Sequence, residues 1–351
     1  MILARNKQRN AKKVRLVGIK QVAKQAGVGI GSVSRVFSGQ SGVSDEMRRR
    51  VLKAAESLSY APNILAQALR SRATRSVGFV VADIANPLIA SIVHGAEAVL
   101  SAAGYSILLT NSGGQASVDA ERIRVLQQRR VDGLILLPAV EDDPEFLEIL
   151  ASLTAPVVVI DRVLPKDIRA RYVLSDHYVG VGDAARHLFN LGHTRIAVVV
   201  GRENRPSRER IRAVRDAYSS RAIRPHLIVD SGPLSVEHGA RALMGLLDSA
   251  RAPTAVILGG NQLLEGALSV VRARNLRLGR DLSLVCCDDV PLGRLFETPI
   301  STVMRDTDLI GQSAAKLFLE SVSKSPRLPS TIVLPTWFES RASCGKPKRK
   351  T

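Results

Sequence analysis

Aromatic residues make up only 4% of this 351-residue chain, and there are three cysteines. Two of these, Cys286 and Cys287, are adjacent, so they offer neither a disulfide framework nor the spacing of a metal site. A reducing cytoplasm is the expected setting, and no metal or cofactor is expected. No apolar run reaches the ~18 residues that a membrane span needs. The amino terminus, MILARNKQRNAKKVRL, is basic but lacks the apolar stretch of a secretory leader. Missing too are a G-x-S-x-G elbow, an H-E-x-x-H pair, a P-loop and any diagnostic pair of spaced carboxylates. These absences argue against an enzyme and against a membrane partner.

Positive charge is abundant, and its location says more than its amount. The formal net charge is +18. Residues 1–75 hold 16 Lys/Arg against 3 Asp/Glu, a balance of +13. The last eight residues, CGKPKRKT, add four positive charges, which leaves the 268 residues between nearly neutral at +1. Solubility does not require so one-sided an arrangement, whereas a polyanionic partner does. The length itself calls for two or three domains.

Within the basic head, QAGVGIGSVSRVF (25–37) spaces three glycines as G-x-G-x-G. A phosphate-cradling fingerprint needs G-x-G-x-x-G after a buried strand. Here the preceding residues are apolar at 19, 22, 23 and 26, which is helical spacing. The glycines therefore make a turn between helices. Ile19–Ala26 forms the first, Gly27-Val28-Gly29 the turn, and Ser32–Phe37 the start of the second. Ser44, followed by Asp45 and Glu46, caps a third helix running to Ser59, with Val51, Leu52, Ala55 and Leu58 as its apolar stripe. Two short helices about a glycine turn match the DNA-reading helix-turn-helix.

These residues also carry a family resemblance. IKQVAKQAGVGIGSVSRVF and GVSDEMRRRVLKAAESLSYAPNILAQALR resemble the DNA-binding head of the lactose/galactose repressor (LacI/GalR) family. The likeness continues through VGFVVADIANPL, RRVDGLILLP, PVVVIDR, LGHTRIAVV, PISTV and ESRAS, in the family's order over roughly residues 18–343. The resemblance implies that Ile30, Gly31 and Arg35 sit where base-reading side chains sit. Arg35 can fork onto guanine and Ile30 can touch a thymine methyl, whereas Gly31 has no side chain to read with. Ser32 and Ser34 suit phosphate contacts. Ser38 stands where the family commonly has Asn. Residues 62–70 match the family's hinge helix, with Leu69 as a minor-groove wedge flanked by Asn63, Ala66 and Arg70.

From Ser76 onward short apolar runs alternate with helical segments, which reads as parallel α/β buried on both faces. Two such sets imply two lobes of the periplasmic-binding-protein type, as the resemblance also does. The expected organisation is a basic arm (1–17), a helix-turn-helix domain (18–61), a hinge and linker (62–75), an effector-binding and dimerisation body (76–343) and a basic tail (344–351). Lobe crossings are expected near 172–176, 300–305 and 328–334.

Ligands in open α/β sheets sit beyond the carboxyl ends of the strands. Residues there are Asp83, Asn86, Asn111, Asp161, Arg162, Asp176 and Asp288, and by resemblance Arg210 and Asn261 join them. Leu88, Ile89 and Leu234 stand where family members often carry aromatic rings. Asn261 replaces a usual Asp, and His177 a usual Asn. The expected function is a cytoplasmic, nucleoid-associated transcriptional regulator, acting as a repressor. A homodimer would bind a pseudo-palindromic double-stranded operator under the control of a small effector: a sugar, sugar acid, sugar phosphate or related metabolite. Two alternatives are a solute-binding protein serving a transporter and a regulator whose degenerate pocket senses nothing. The basic head argues against the first.

Overall fold

The computed structural model describes residues 18–37, 42–60, 73–219, 226–323 and 329–348. The chain divides into two compact units between Thr74 and Arg75.

The regular elements among the described residues of the first unit are all helices. Helix α1 (Ile19–Ala26) ends at Gly27, whose φ of 64° is the left-handed conformation that closes a helix at little cost to glycine. The Gly29 carbonyl accepts from the Ser32 and Val33 amides, so α2 (Ile30–Phe37) begins at Ile30, two residues ahead of the start expected at Ser32. Helix α3 (Asp45–Ser57) is capped by Ser44, whose hydroxyl accepts from Met47 N at 3.3 Å. Val22, Val33 and Val51 meet at its centre with no exposed surface, each contributing roughly 1.5–3 kcal/mol by burial. Arg50 of α3 donates to the carbonyls of Ala26 at 2.6 Å and Gly27 at 3.3 Å. A cation thus satisfies the carboxyl end of α1 and fixes the turn that presents α2.

Among its described residues the second unit holds two six-stranded sheets. The amino-terminal lobe contains β1 (Ser76–Val81), β2 (Ser106–Asn111), β3 (Leu134–Leu137), β4 (Val157–Ile160), β5 (Arg171–Ser175) and β11 (Thr331–Leu334). Their order is β11-β5-β4-β3-β1-β2, all parallel. The carboxyl-terminal lobe contains β6 (Arg195–Val200), β7 (His226–Ser231), β8 (Ala255–Leu258), β9 (Ser283–Cys287), β10 (Ser301–Met304) and β12 (Trp337–Glu339). Its order, β12-β10-β9-β8-β6-β7, repeats the first, except that β12 runs antiparallel to β10. The chain passes between lobes after β5, after β10 and after β11. The continuous apolar strands VVVI (β4) and AVIL (β8) are buried along their whole length, because helices cover both faces.

Helix α4 (Pro87–Ala102) packs on α12 (Thr307–Val322), and α9 (Val236–Asp248) packs on α10 (Asn261–Ala273). Glycines bring the backbones together in both pairs. A β-carbon at Gly311 would collide with the Ile92 carbonyl, and one at Gly266 with the Val236 carbonyl. Gly311→Ala is therefore expected to cost about 1–3 kcal/mol or more through overpacking, read as a lower urea midpoint for the body. An unchanged midpoint would show that the helices can separate freely.

Candidate functional site

Helix α2 has two faces. Val33 and Val36 are buried in the head, whereas Ile30, Gly31 and Arg35 are exposed and Ser32 and Ser34 are half-buried. At 100° per residue, positions 30, 31, 34 and 35 fall on one outward stripe. The expected base-reading residues therefore share a face that the head's own core does not use. Among the described residues, no neighbouring side chain or other segment comes within 4 Å of the place a β-carbon would take at Gly29 or Gly31. Asn63, Ala66, Leu69 and Arg70 lie outside the described residues, as do Ser38 and the arm 1–17.

In the second unit a cavity of about 460 Å³ opens between the lobes at the carboxyl ends of both sheets. Asp83, Asn86, Asp161, Arg162, Arg210, Asn261 and Asp288 line it. Asn111 and Asp176 do not, which corrects the expectation drawn from their strand-end positions. The Asn111 side chain instead accepts from Ile84 N at 3.0 Å and fixes the loop that carries Asp83. Asp176 caps α7 (His177–Asn190), accepting from Val179 N at 3.2 Å. A strand end followed by a helix needs such a cap, and both residues are used up locally.

The centre of the site is an arginine that the sequence reading passed over. Arg305, two residues before α12 and with a side chain 8% exposed, forks onto Asp288 through Nε (2.5 Å) and Nη2 (3.2 Å). Its Nη1 binds Asp161 Oδ2. Asp161 follows β4 and Asp288 follows β9, so one guanidinium pins equivalent strand ends of the two lobes. Both aspartates hold left-handed φ values, 54° and 75°, a strain that surroundings must over-determine. Burial alone would raise the Asp161 pKa, but Arg305, His177 and the Ser175 amide hold it well below the usual range. No short-range pattern pointed to Arg305, since its partners are 144 and 17 residues away.

Arg210 donates Nη1 to the Gly259 carbonyl at 2.8 Å, and its Nη2 lies 3.4 Å from His177 Nδ1. Arg162 donates Nη1 to the Asp161 carbonyl at 3.1 Å. Burial, reinforced by Arg210, pushes the His177 pKa down to about 4, so the imidazole is neutral at pH 7. The Nε atoms of Arg162 and Arg210 and Nε2 of His177 are buried without a hydrogen-bond partner.

Amides and carboxylates hold the lobes together around this cavity. Asn86 and Asn261 exchange hydrogen bonds of 3.2 and 2.8 Å, and Gln262 donates to Asp83 at 2.9 Å. Glu141 accepts from Arg205 N at 3.0 Å and from Arg208 at 2.7 Å. Glu141 and Gln262 were also missed, for want of any local pattern. The helix caps Asn204 and Ser235, by contrast, stand in cap spacing that could have been read. Leu88, Ile89 and Leu234 do line the cavity, and no Phe, Tyr or Trp does among the described residues.

The comparisons follow this division. The family described as bacterial regulatory proteins, lacI family, matches residues 18–63, and a periplasmic binding protein-like domain matches 185–344. The HTH-type transcriptional regulator CelR of Thermobifida fusca is 32% identical over 93% of this chain and 97% of its own. DegA of Bacillus subtilis, also an HTH-type transcriptional regulator, is 30% identical over 90% and 95%. Among solved structures, the lac repressor dimer bound to operator and the anti-inducer ONPF superposes with a TM-score of 0.82 at 25% identity, covering 94% of this chain and all of that one. A CelR–cellobiose complex superposes at 0.70 with 30% identity, over 93% and 99%. No helix among the described residues is long and apolar enough to cross a membrane. With relatives of this likeness spanning nearly its whole length, the chain belongs to the lacI family of bacterial regulatory proteins and is a DNA-binding transcriptional regulator rather than an enzyme.

Proposed function

We propose that this regulator binds a pseudo-palindromic operator as a homodimer and acts as a repressor, with α2 of each head in the major groove. A small effector in the cavity between the lobes would set its affinity for that operator. The observation that carries the reading is the outward stripe of Ile30, Gly31, Ser34 and Arg35 on a helix whose other face is buried. A glycine inside an exposed helix costs roughly 0.5–1 kcal/mol relative to alanine. Since nothing among the described residues of the head crowds position 31, close approach of a DNA backbone accounts for it. Asn63, Ala66, Leu69 and Arg70 would serve the minor groove, with Leu69 as the wedge. Such a protein works in the cytoplasm, on the nucleoid. The effector reading is supported by a related regulator, CelR, solved with cellobiose.

Binding-site selection from random DNA with the full chain tests the proposal. Two half-sites in inverted repeat are the expected product. Arg35→Ala should then cost roughly 1–3 kcal/mol and relax the preference at one base pair per half-site. Uniform weakening across all sequences would instead place Arg35 on phosphate, and a selected site without symmetry would overturn the dimeric reading.

A further inference from the structure

The buried wall of the cavity is charged out of balance. Arg162, Arg210 and Arg305 face it with side chains largely out of water, against the buried carboxylates of Asp161 and Asp288. His177 is neutral. Arg305 spends its fork on both aspartates, leaving Arg162 and Arg210 without a carboxylate hydrogen bond of their own, each with a buried, unpartnered Nε. With Arg202 and Asp83, which also line the cavity, four arginines face three carboxylates, and the nearby Glu141 is already taken up by Arg208 and the Arg205 amide. One positive charge is left over in a place where an unpaired charge is costly. We infer that the cavity takes a small monocarboxylic acid with a hydroxylated body, its carboxylate seated between Arg162 and Arg210. This rests on the reading of the cavity as the effector site and deepens it.

Three observations select that chemistry. The acidic groups a neutral sugar would use as hydroxyl acceptors are occupied: both Asp288 oxygens and Asp161 Oδ2 by Arg305, and Asp161 Oδ1 by Ser175 N at 2.7 Å. Among the described residues, no Phe, Tyr or Trp lines the cavity to offer its face to a sugar. A single surplus charge matches a carboxylate, whose two oxygens fit a guanidinium fork. A phosphate monoester carries about −1.5 to −2 at pH 7 and overshoots the balance. The second amide hydrogens of Asn86, Asn261 and Gln262, beyond those that bond one another and Asp83, serve the hydroxyls, and Leu88 and Leu234 the carbon skeleton.

The experiment is calorimetric titration of the full-length protein with matched sets: glucose, gluconate, glucuronate and glucose 6-phosphate, then the galactose and ribose counterparts. At least one carboxylate should bind on the order of 100-fold more tightly than its neutral sugar, the equivalent of one charge-assisted contact, and more tightly than its phosphate. Arg162→Met should lose that factor while the unliganded melting temperature holds or rises, because a surplus buried charge has gone. Arg162→Lys should keep part of the binding. Tighter binding of a neutral sugar or a phosphate, or binding of none of the acids, overturns the inference. Operator affinity measured on the same samples separates the two claims. An acid that binds through Arg162 without changing operator affinity leaves the inference standing and removes the effector reading. A neutral sugar that changes operator affinity through this cavity does the reverse.

Discussion

A chain carrying Arg305→Met is expected to lose about 3–5 kcal/mol of unfolding free energy at pH 7, because two buried carboxylates lose their shared partner. Their side chains are each 5% exposed, so water screens little of the penalty. The loss should depend on pH with a definite sign. In the wild type the Asp161 pKa is depressed, so its pairing stabilises the fold above the unfolded value near 3.8 and is lost only as pH falls below that. In the variant the same carboxyl is buried without its cation and its pKa rises, so protonation relieves it at milder acidity. The stability gap between wild type and variant should therefore narrow as pH is lowered from 7 toward about 5. Urea titrations at several pH values check this. A gap that stays constant would mean that Arg305 acts through packing alone.

The second large effect concerns salt. Operator binding should weaken on the order of 1,000-fold between roughly 50 and 200 mM salt, the change expected when about six phosphates are neutralised and their counterions released. The motive is the concentration of charge, +13 within residues 1–75 against +1 in the body. Filter-binding or anisotropy titrations at four salt concentrations give the slope directly. Near-zero slope would remove the basic head from the interface. Leu69→Ala should leave this slope unchanged, because a wedge between bases neutralises no phosphate.

The parts legible in the sequence were those written in local pattern. Gly27 closing α1, Ser44 capping α3 and the apolar runs of β4 and β8 each announce themselves within a few residues. Helix α2, expected from Ser32, starts at Ile30 because the Gly29 carbonyl already accepts its first bonds. Of the seven residues expected from strand-end position, five line the cavity, as do Arg210 and Asn261, which the family resemblance had added. Strand-end position could not tell a strand end that faces the cleft from one spent on a neighbouring loop, as Asn111 is, or on a helix cap, as Asp176 is. Arg305 was invisible for a different reason: an ion pair across 144 residues is a property of the crossing geometry, not of neighbouring residues.

That crossing geometry bears on how such proteins can be recombined. The carboxyl-terminal lobe is not one contiguous stretch: residues 177–304 supply five of its strands, and β12 arrives only after the chain has returned to the other lobe to lay down β11. Ser343 and Gly345, just beyond β12, bond back to Leu284, Ser301 and Ser283. A chimera that grafts 177–304 alone onto another family member would inherit a foreign edge strand and a foreign carboxyl-terminal clasp. A transplant that keeps this lobe's own edge strand and clasp must carry two pieces, 177–305 and 336–345, with the arginine that joins both lobes inside the first.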